Sequence, residues 1–140
     1  MSPSQPSSGD RSALALAAFL VAAGAAHFVY PRAYQRIVPR FLGDPSLWVE
    51  VSGVAELGCA ALVALPRTRR FGAVAAAVLF VAVFPANVKM ALDGGIAGEP
   101  FPWGSPVVAW VRLPLQIPLV VWAARVAGWR KGRLELSRSW

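Results

Sequence analysis

The sequence predicts an all-α integral membrane protein, built as a bundle of four membrane-crossing helices. Of its 140 residues 56% are hydrophobic and only 15% are charged, whereas soluble domains carry roughly a quarter charged residues. The apolar residues fall into four runs of about 20, the length that a helix needs to cross a hydrocarbon core of roughly 30 Å. A chain of this length favours a single domain.

The four predicted spans are separated by segments rich in Pro, Arg, Gly and Asp, which are typical of loops. We place the spans at about residues 12–30, 47–65, 71–92 and 106–127. The polar Ser/Pro tail at residues 1–11 is expected to be disordered, and residues 128–140 form a basic tail. Asp44 followed by Pro45 is typical of an N-cap with proline at the first helical position, so the second helix should begin there.

The first span has an alternative interpretation as a cleaved signal peptide, because residues 22–26 are small, as at a cleavage site. Arg11 is the only basic residue before the apolar run, and the run continues through Tyr30, beyond any plausible cut. We therefore favour a retained span.

Basic residues in short loops stay on the cytoplasmic side, and here they orient the bundle. The termini and the 66–70 turn carry nine basic and two acidic residues, whereas the opposite loops carry three of each. Both termini are therefore predicted to be cytoplasmic. Twelve of the fourteen basic residues are Arg, which with abundant Ala, Val and Gly suggests a GC-rich bacterial source, so we expect the protein in a bacterial plasma membrane. The short 66–70 turn also predicts that the second and third spans are antiparallel neighbours. Since the basic residues act as topology signals, the net charge of +7 does not predict nucleic-acid binding.

Several polar residues lie inside the spans, where an unpaired charge costs about 2.5 to 3.5 kcal/mol. We therefore expect Glu56 and Arg112 to form an ion pair. At a rise of about 1.5 Å per residue, His27, Asn87 and Gln116 lie at a similar depth in the outer half of the membrane. These five residues predict an outward-facing polar pocket. Further candidates for the pocket are Ser52, Lys89 and Trp110.

These candidates also have purely structural explanations. The ion pair of Glu56 and Arg112 could serve only to fix the helix register. Lys89 could extend to the headgroups, and Trp110 could anchor the interface. His27 has no second metal ligand at a useful spacing, so no metal site is expected.

Prolines are predicted to interrupt the third and fourth helices. Pro85 precedes Asn87, and Pro114 and Pro118 flank Gln116. A membrane proline frees backbone carbonyls, and such breaks are tolerated where they line a buried or wet cavity. The prolines therefore support a pocket at this depth.

Five motifs occur in order within residues 23–124. They are Ala26-His27-Phe28, Ser52-Gly53-Val54-Ala55-Glu56, Pro66-Arg67-Thr68-Arg69-Arg70, Phe84-Pro85-Ala86-Asn87 and Arg112-Leu113-Pro114-Leu115-Gln116. This set resembles the DoxX-like family of small four-helix bacterial membrane proteins. The resemblance implies a four-helix membrane bundle and carries the five polar pocket residues over as signature positions. Relatives are linked to quinone-coupled sulfur oxidation, to membrane redox complexes and, distantly, to receptor assembly.

The leading functional hypothesis is an accessory membrane protein whose pocket binds a small amphipathic molecule, such as a quinone or a lipid-like metabolite, beside a redox or stress-response partner. Arg112 and Gln116 would donate to a carbonyl or acid group, and Glu56 would hold Arg112 in place. No covalent cofactor is expected. Cys59 is the only cysteine, so this chain has no dithiol of its own.

Two alternatives stay open. One is a helper that docks against another membrane protein through the small residues 22–26. The other is a proton-linked transporter of small solutes that uses Glu56 and His27, although no inverted repeat is evident. A role as a subunit of a quinone-linked oxidoreductase also stays open.

Overall fold

The computed structural model describes residues 6–128, and this part of the chain is helical without any strand. The helices are α1 (Ser8–Val29), α2 (Pro31–Ile37), α3 (Pro45–Ala64), α4 (Arg69–Ala82), α5 (Phe84–Leu92) and α6 (Pro106–Val126). A 3-10 helix, Arg40–Leu42, connects α2 to α3. Apart from Gly128, the basic tail predicted at 128–140 lies outside the described residues.

Four helical stretches are long and apolar enough to cross a membrane: α1, α3, α4 together with α5, and α6. At most 33% of the most apolar part of each stretch is buried within the chain, and for α6 the share is 17%. Large apolar side chains such as Val54, Val78 and Ile117 point outward and are exposed. So much exposed apolar surface is unfavourable in water and suits contact with lipid. The fold is that of a multi-pass membrane protein.

The first helix begins earlier than the sequence predicts. Residues 8–11, assigned above to a disordered tail, form the first turn of α1. A capping box explains the difference: the Ser7 side chain accepts a hydrogen bond from the Asp10 amide, and the Asp10 carboxylate accepts one from the Ser7 amide, both at 3.2 Å. Arg69 also donates to Asp10 at 2.7 Å, which ties the start of α1 to the start of α4.

The second spanning helix begins where the sequence predicts. Asp44 is the N-cap of α3, and its side chain accepts from the Ser46 amide at 2.9 Å. Pro45 occupies the first turn, where its missing N–H is no loss.

The spanning stretches pack in the order α1, α3, α4 and α6. Each of these neighbours packs closely on the next, whereas α1 and α6 touch only sparingly. One end of the bundle holds the start of α1 and the end of α6, and we call it the termini end; the other is the α2 end. At the termini end the Trp122 indole donates to Ser12 at 2.9 Å, and its ring centroid lies 6.2 Å from that of Phe19. These two contacts join α6 to α1.

Two glycines allow α1 and α3 to approach closely. A Cβ atom placed on Gly24 would lie 2.9 Å from Leu57 Cγ and 3.0 Å from the Gly53 carbonyl oxygen. A Cβ atom on Gly53 would lie 3.0 Å from the Cβ atom of His27. Small residues permit such backbone contact between membrane helices. Since His27 and Glu56 each follow one of these glycines by three residues, the crossing brings the two side chains together.

The third spanning stretch is broken, but the fourth is not. Helix α4 ends at Ala82 and α5 begins at Phe84, because Pro85 cannot donate a backbone hydrogen bond. In α6, Pro114 and Pro118 lie inside a continuous helix. The predicted interruption of the fourth helix is therefore wrong, since prolines are tolerated within membrane helices whose freed carbonyls find other partners.

Candidate ligand-binding site

A cavity of about 700 Å³ extends from α2 towards the termini end as far as Phe19 and Trp122. All six α-helices contribute side chains to its wall. Most of these are apolar, among them Phe19, Ile37, Val49, Phe80, Leu115 and Leu119. The volume lies within the range of about 300 to 1,000 Å³ that is typical of small-molecule sites.

The structure brings the predicted polar cluster to this cavity. The cluster residues that line it are His27, Glu56, Asn87, Arg112 and Gln116, and the further candidate Ser52 lines it as well. All but Arg112 and Ser52 are buried.

Two other candidates lie elsewhere. Lys89 forms an ion pair with Asp93 and donates to the Arg36 carbonyl at 3.1 Å. Trp110 is exposed on α6 and is absent from the cavity wall. Neither residue therefore contributes to the cavity wall.

The predicted ion pair between Glu56 and Arg112 is not formed. Glu56 instead faces His27, with 3.1 Å between carboxylate Oε2 and imidazole Nδ1. The packing order explains the difference: α3 is the close neighbour of α1, whereas α6 lies across the cavity from it. Opposite charges that share a cavity need not touch when a third group is nearer.

The hydrogen bonding of His27 leaves the Glu56 carboxylate short of a donor. Nδ1 of His27 lies 2.9 Å from the Ala23 carbonyl oxygen, which can only accept, so we assign the hydrogen to Nδ1 and direct it to Ala23. Oε2 of Glu56 is then buried without a hydrogen-bond partner among residues 6–128. Buried polar atoms are nearly always hydrogen-bonded, so such an atom in a cavity wall calls for an explanation.

Aromatic side chains cover this pair at the α2 end. The Tyr34 ring stacks on the His27 ring, with 3.9 Å between centroids, and the Trp103 ring meets Tyr34 edge-on at 4.9 Å. Burial raises the pKa of Tyr34 to about 12, so its phenol stays neutral. Neither aromatic is among the pocket candidates that the sequence predicts. No spacing signal connects them, because the loop that carries Trp103 folds back by tertiary packing.

Arg112 has no carboxylate partner among the described residues. Its guanidinium lies 5.5 Å from the centre of the Trp103 ring and donates to the Met90 sulfur at 3.8 Å. A thioether is a weak acceptor, and a guanidinium carries five N–H groups. Arg112 therefore presents a cation with unused donors to the cavity.

Asn87 and Gln116 form a hydrogen-bonded pair in the cavity wall. Asn87 donates to the Gln116 side-chain oxygen at 2.9 Å, and Gln116 donates in turn to the Phe80 carbonyl. Phe80 lies in the last turn of α4, where carbonyls lack donors within their own helix. Gln116 thus satisfies a carbonyl that the helix break before Pro85 leaves without a donor. Less of its hydrogen-bonding capacity is therefore left for a ligand than the sequence predicts.

The cavity has few titratable groups. Over residues 6–128, no cluster of three His, Cys, Asp or Glu side chains could hold a metal ion. In the described part of the chain, the wall carries the carboxylate of Glu56, the guanidinium of Arg112, the imidazole of His27 and the phenol of Tyr34. This arrangement suits the binding of a molecule with a small polar head.

The part of the chain that contains this site matches a known family. A family model described as a domain of unknown function (DUF8561) matches residues 16–127, a range that includes every residue of the cavity wall. No curated protein and no solved structure matches the chain.

Proposed function

The chain belongs to the DUF8561 family, and from its cavity we propose that it binds a small amphipathic molecule and serves as an accessory protein of a membrane redox or stress-response system. One observation carries the proposal. Among residues 6–128, the wall of a largely apolar cavity includes a Glu56 carboxylate oxygen without a hydrogen-bond donor and an Arg112 guanidinium without a carboxylate partner. Apolar pockets with a few convergent polar groups are typical of ligand sites.

The chemistry of the wall fits a molecule with a polar ring and an apolar tail. Arg112 can donate to an oxygen of the ring, while the tail lies along apolar residues such as Leu115, Leu119 and Phe80. A quinone or a related lipid-like metabolite has this form. The sequence resemblance to DoxX-like proteins, some of whose relatives are linked to quinone-coupled sulfur oxidation, suggests this ligand class as an expectation.

A quinone titration tests the proposal. Purified protein in lipid nanodiscs is titrated with a decyl-chain benzoquinone, and binding is followed by tryptophan fluorescence. Arg112→Gln should weaken binding about tenfold or more, because a hydrogen bond from a charged group contributes about 1.5 to 3 kcal/mol. Arg125→Gln is the matched control, since Arg125 is exposed on the same helix and outside the cavity. Equal affinity in both variants, or no saturable binding at all, would refute the site.

The proposed orientation places both termini in the cytoplasm of a bacterium and the α2 end outside. In the sequence, basic residues concentrate in the termini and the 66–70 turn, while ion pairs such as Arg36 with Glu99 (3.3 Å) neutralise charge at the α2 end. Cysteines introduced at exposed Ala97 and Pro66, with Cys59 replaced by Ala, report the two sides. An impermeant maleimide should label Ala97→Cys in intact cells and Pro66→Cys only after lysis. The reverse pattern would invert the topology.

The helper hypothesis remains a separate prediction. Gly24, in the small-residue segment 22–26, contacts α3 within the chain, whereas Ala22 and Ala25 are exposed. Recovery of a stoichiometric membrane protein with this chain, together with loss of that partner in an Ala22→Leu, Ala25→Leu variant, would favour the helper. Recovery of the chain alone with a bound small molecule would favour the cavity.

A further inference from the structure

The hydrogen bonds that the cavity lacks specify the head group of the ligand, an inference that rests on the proposed function. Glu56 needs a donor. Its side chain is 7% exposed, and its Oε2 atom receives no hydrogen bond from residues 6–128. His27 Nδ1 lies 3.1 Å from this oxygen, and we assign its hydrogen to the Ala23 carbonyl at 2.9 Å. Because a buried carboxylate without donors is strongly unfavourable, a ligand that donates to Glu56 would stabilise the site.

Arg112 has the opposite requirement, an acceptor. Its contacts with the Met90 sulfur and the Trp103 ring leave most of its N–H groups unused. The two requirements occur in the wall of one cavity. A head group that both donates and accepts therefore suits the site better than one that does only one of the two.

The charge of the wall restricts the head group further. Glu56 contributes one negative charge and Arg112 one positive charge, and within residues 6–128 no other Lys, Arg, Asp or Glu lines the cavity. These two charges cancel. An anionic head, such as a fatty-acid carboxylate, could pair with Arg112 but would add a like charge in the cavity that Glu56 lines, and like charges in a desolvated site repel strongly.

We propose that the cavity selects a neutral, hydroxyl-bearing ring, a phenol or a quinol, over the carbonyl-only ring of a quinone and over an anionic head. The hydroxyl donates to the Glu56 carboxylate, and an oxygen of the ring accepts from Arg112. A quinone supplies the acceptor and leaves Glu56 without a donor. The protein thus binds the reduced member of a quinone and quinol pair more tightly than the oxidised member.

A matched ligand series tests the selection. A decyl-chain benzoquinol, the corresponding quinone, the O-methylated quinol and decanoate are titrated into the wild-type protein in nanodiscs without oxygen. The quinol should bind about tenfold or more tightly than each of the others. Comparison with the O-methylated quinol, in which both hydroxyls are methylated, needs no protein variant. Methylation removes the donor hydrogens, and each methyl group is small.

Variants at two carboxylates of α3 then test which residue makes the protein prefer the quinol to the quinone. Glu56→Gln places an amide, which also donates, in the cavity wall, so the ratio of quinol to quinone affinity should fall towards one. Glu50→Gln, at an exposed position of α3 outside the cavity, should keep the wild-type ratio.

The outcomes separate the two proposals. Equal wild-type affinity for quinol and quinone, or tightest binding of decanoate, overturns the selection and leaves a ligand-binding function in place. Saturable binding of none of the four molecules overturns the proposed function itself. A ratio that Glu56→Gln leaves unchanged overturns the assignment of the acceptor to Glu56.

Discussion

Gly53→Ala gives a direct test of the α1 and α3 crossing. The new methyl group would lie 2.8 Å from Phe28 Cε2 and 3.0 Å from His27 Cβ. The Phe28 ring is at the exposed edge of α1 and can turn aside, but the Cβ atom of His27 moves only with its backbone. Overpacking of this kind costs about 1 to 3 kcal/mol. Alanine also favours the helix over glycine by up to about 1 kcal/mol, which partly offsets that loss.

Gly58→Ala removes the helix-propensity contribution from the comparison. Gly58 lies in the same helix, and a Cβ atom there meets nothing within 4 Å. The difference between the two variants in the free energy of unfolding, measured by titration with sodium dodecyl sulfate and circular dichroism, should therefore be about 1 to 3 kcal/mol. Equal stability of the two variants would show that α1 and α3 do not cross at these glycines.

Three further predictions concern the hydrogen-bonded pair of Asn87 and Gln116, the Asp44 N-cap of α3 and the half-buried phenol of Tyr34. Gln116→Leu should destabilise the protein by about 1 to 3 kcal/mol for each group left unpaired, and adding Asn87→Leu should cost less than the sum of the single changes in a double-mutant cycle. Asp44→Ala should lower the free energy of unfolding by about 0.5 to 2 kcal/mol and Asp44→Asn by less, as unfolding titrations of both variants can measure. Burial raises the pKa of Tyr34 from 10.0 to about 12, so the stability that its neutral phenol contributes is complete below pH 10 and is lost as the pH rises to 12. Tyr34→Phe should therefore show a shallower loss of stability than the wild type between pH 10 and 12.

The spanning helices could be predicted from sequence because a single local property, the length of an apolar run, determines them. The start of α3 was also predictable, since Asp44 and Pro45 carry a local capping signal. The start of α1 was missed although its signal is equally local. The Ser7 and Asp10 capping box lies within a Ser/Pro-rich segment, whose composition predicts disorder although the spacing of the two residues favours a helix start.

The membership of the polar cluster could be predicted, but its pairing could not. Depth and helix face indicate which side chains reach the same layer, and that was enough to select Glu56 and Arg112. Which partner is nearest depends on how closely two helices pack. Gly24 and Gly53 determine that distance, and the sequence does not distinguish them from other glycines because only the folded chain places them opposite each other.

The apolar wall of the cavity has a consequence for how any occupant would be supplied. A decyl-chain molecule partitions from water into lipid or detergent, so its concentration beside the protein is set by the volume of the apolar phase and not by the volume of buffer. An apparent dissociation constant expressed per litre of solution should therefore rise in proportion to the amount of lipid or detergent added. Expressed as a mole fraction of that phase, it should stay constant, and weak intrinsic binding would then suffice for high occupancy in a membrane rich in the ligand.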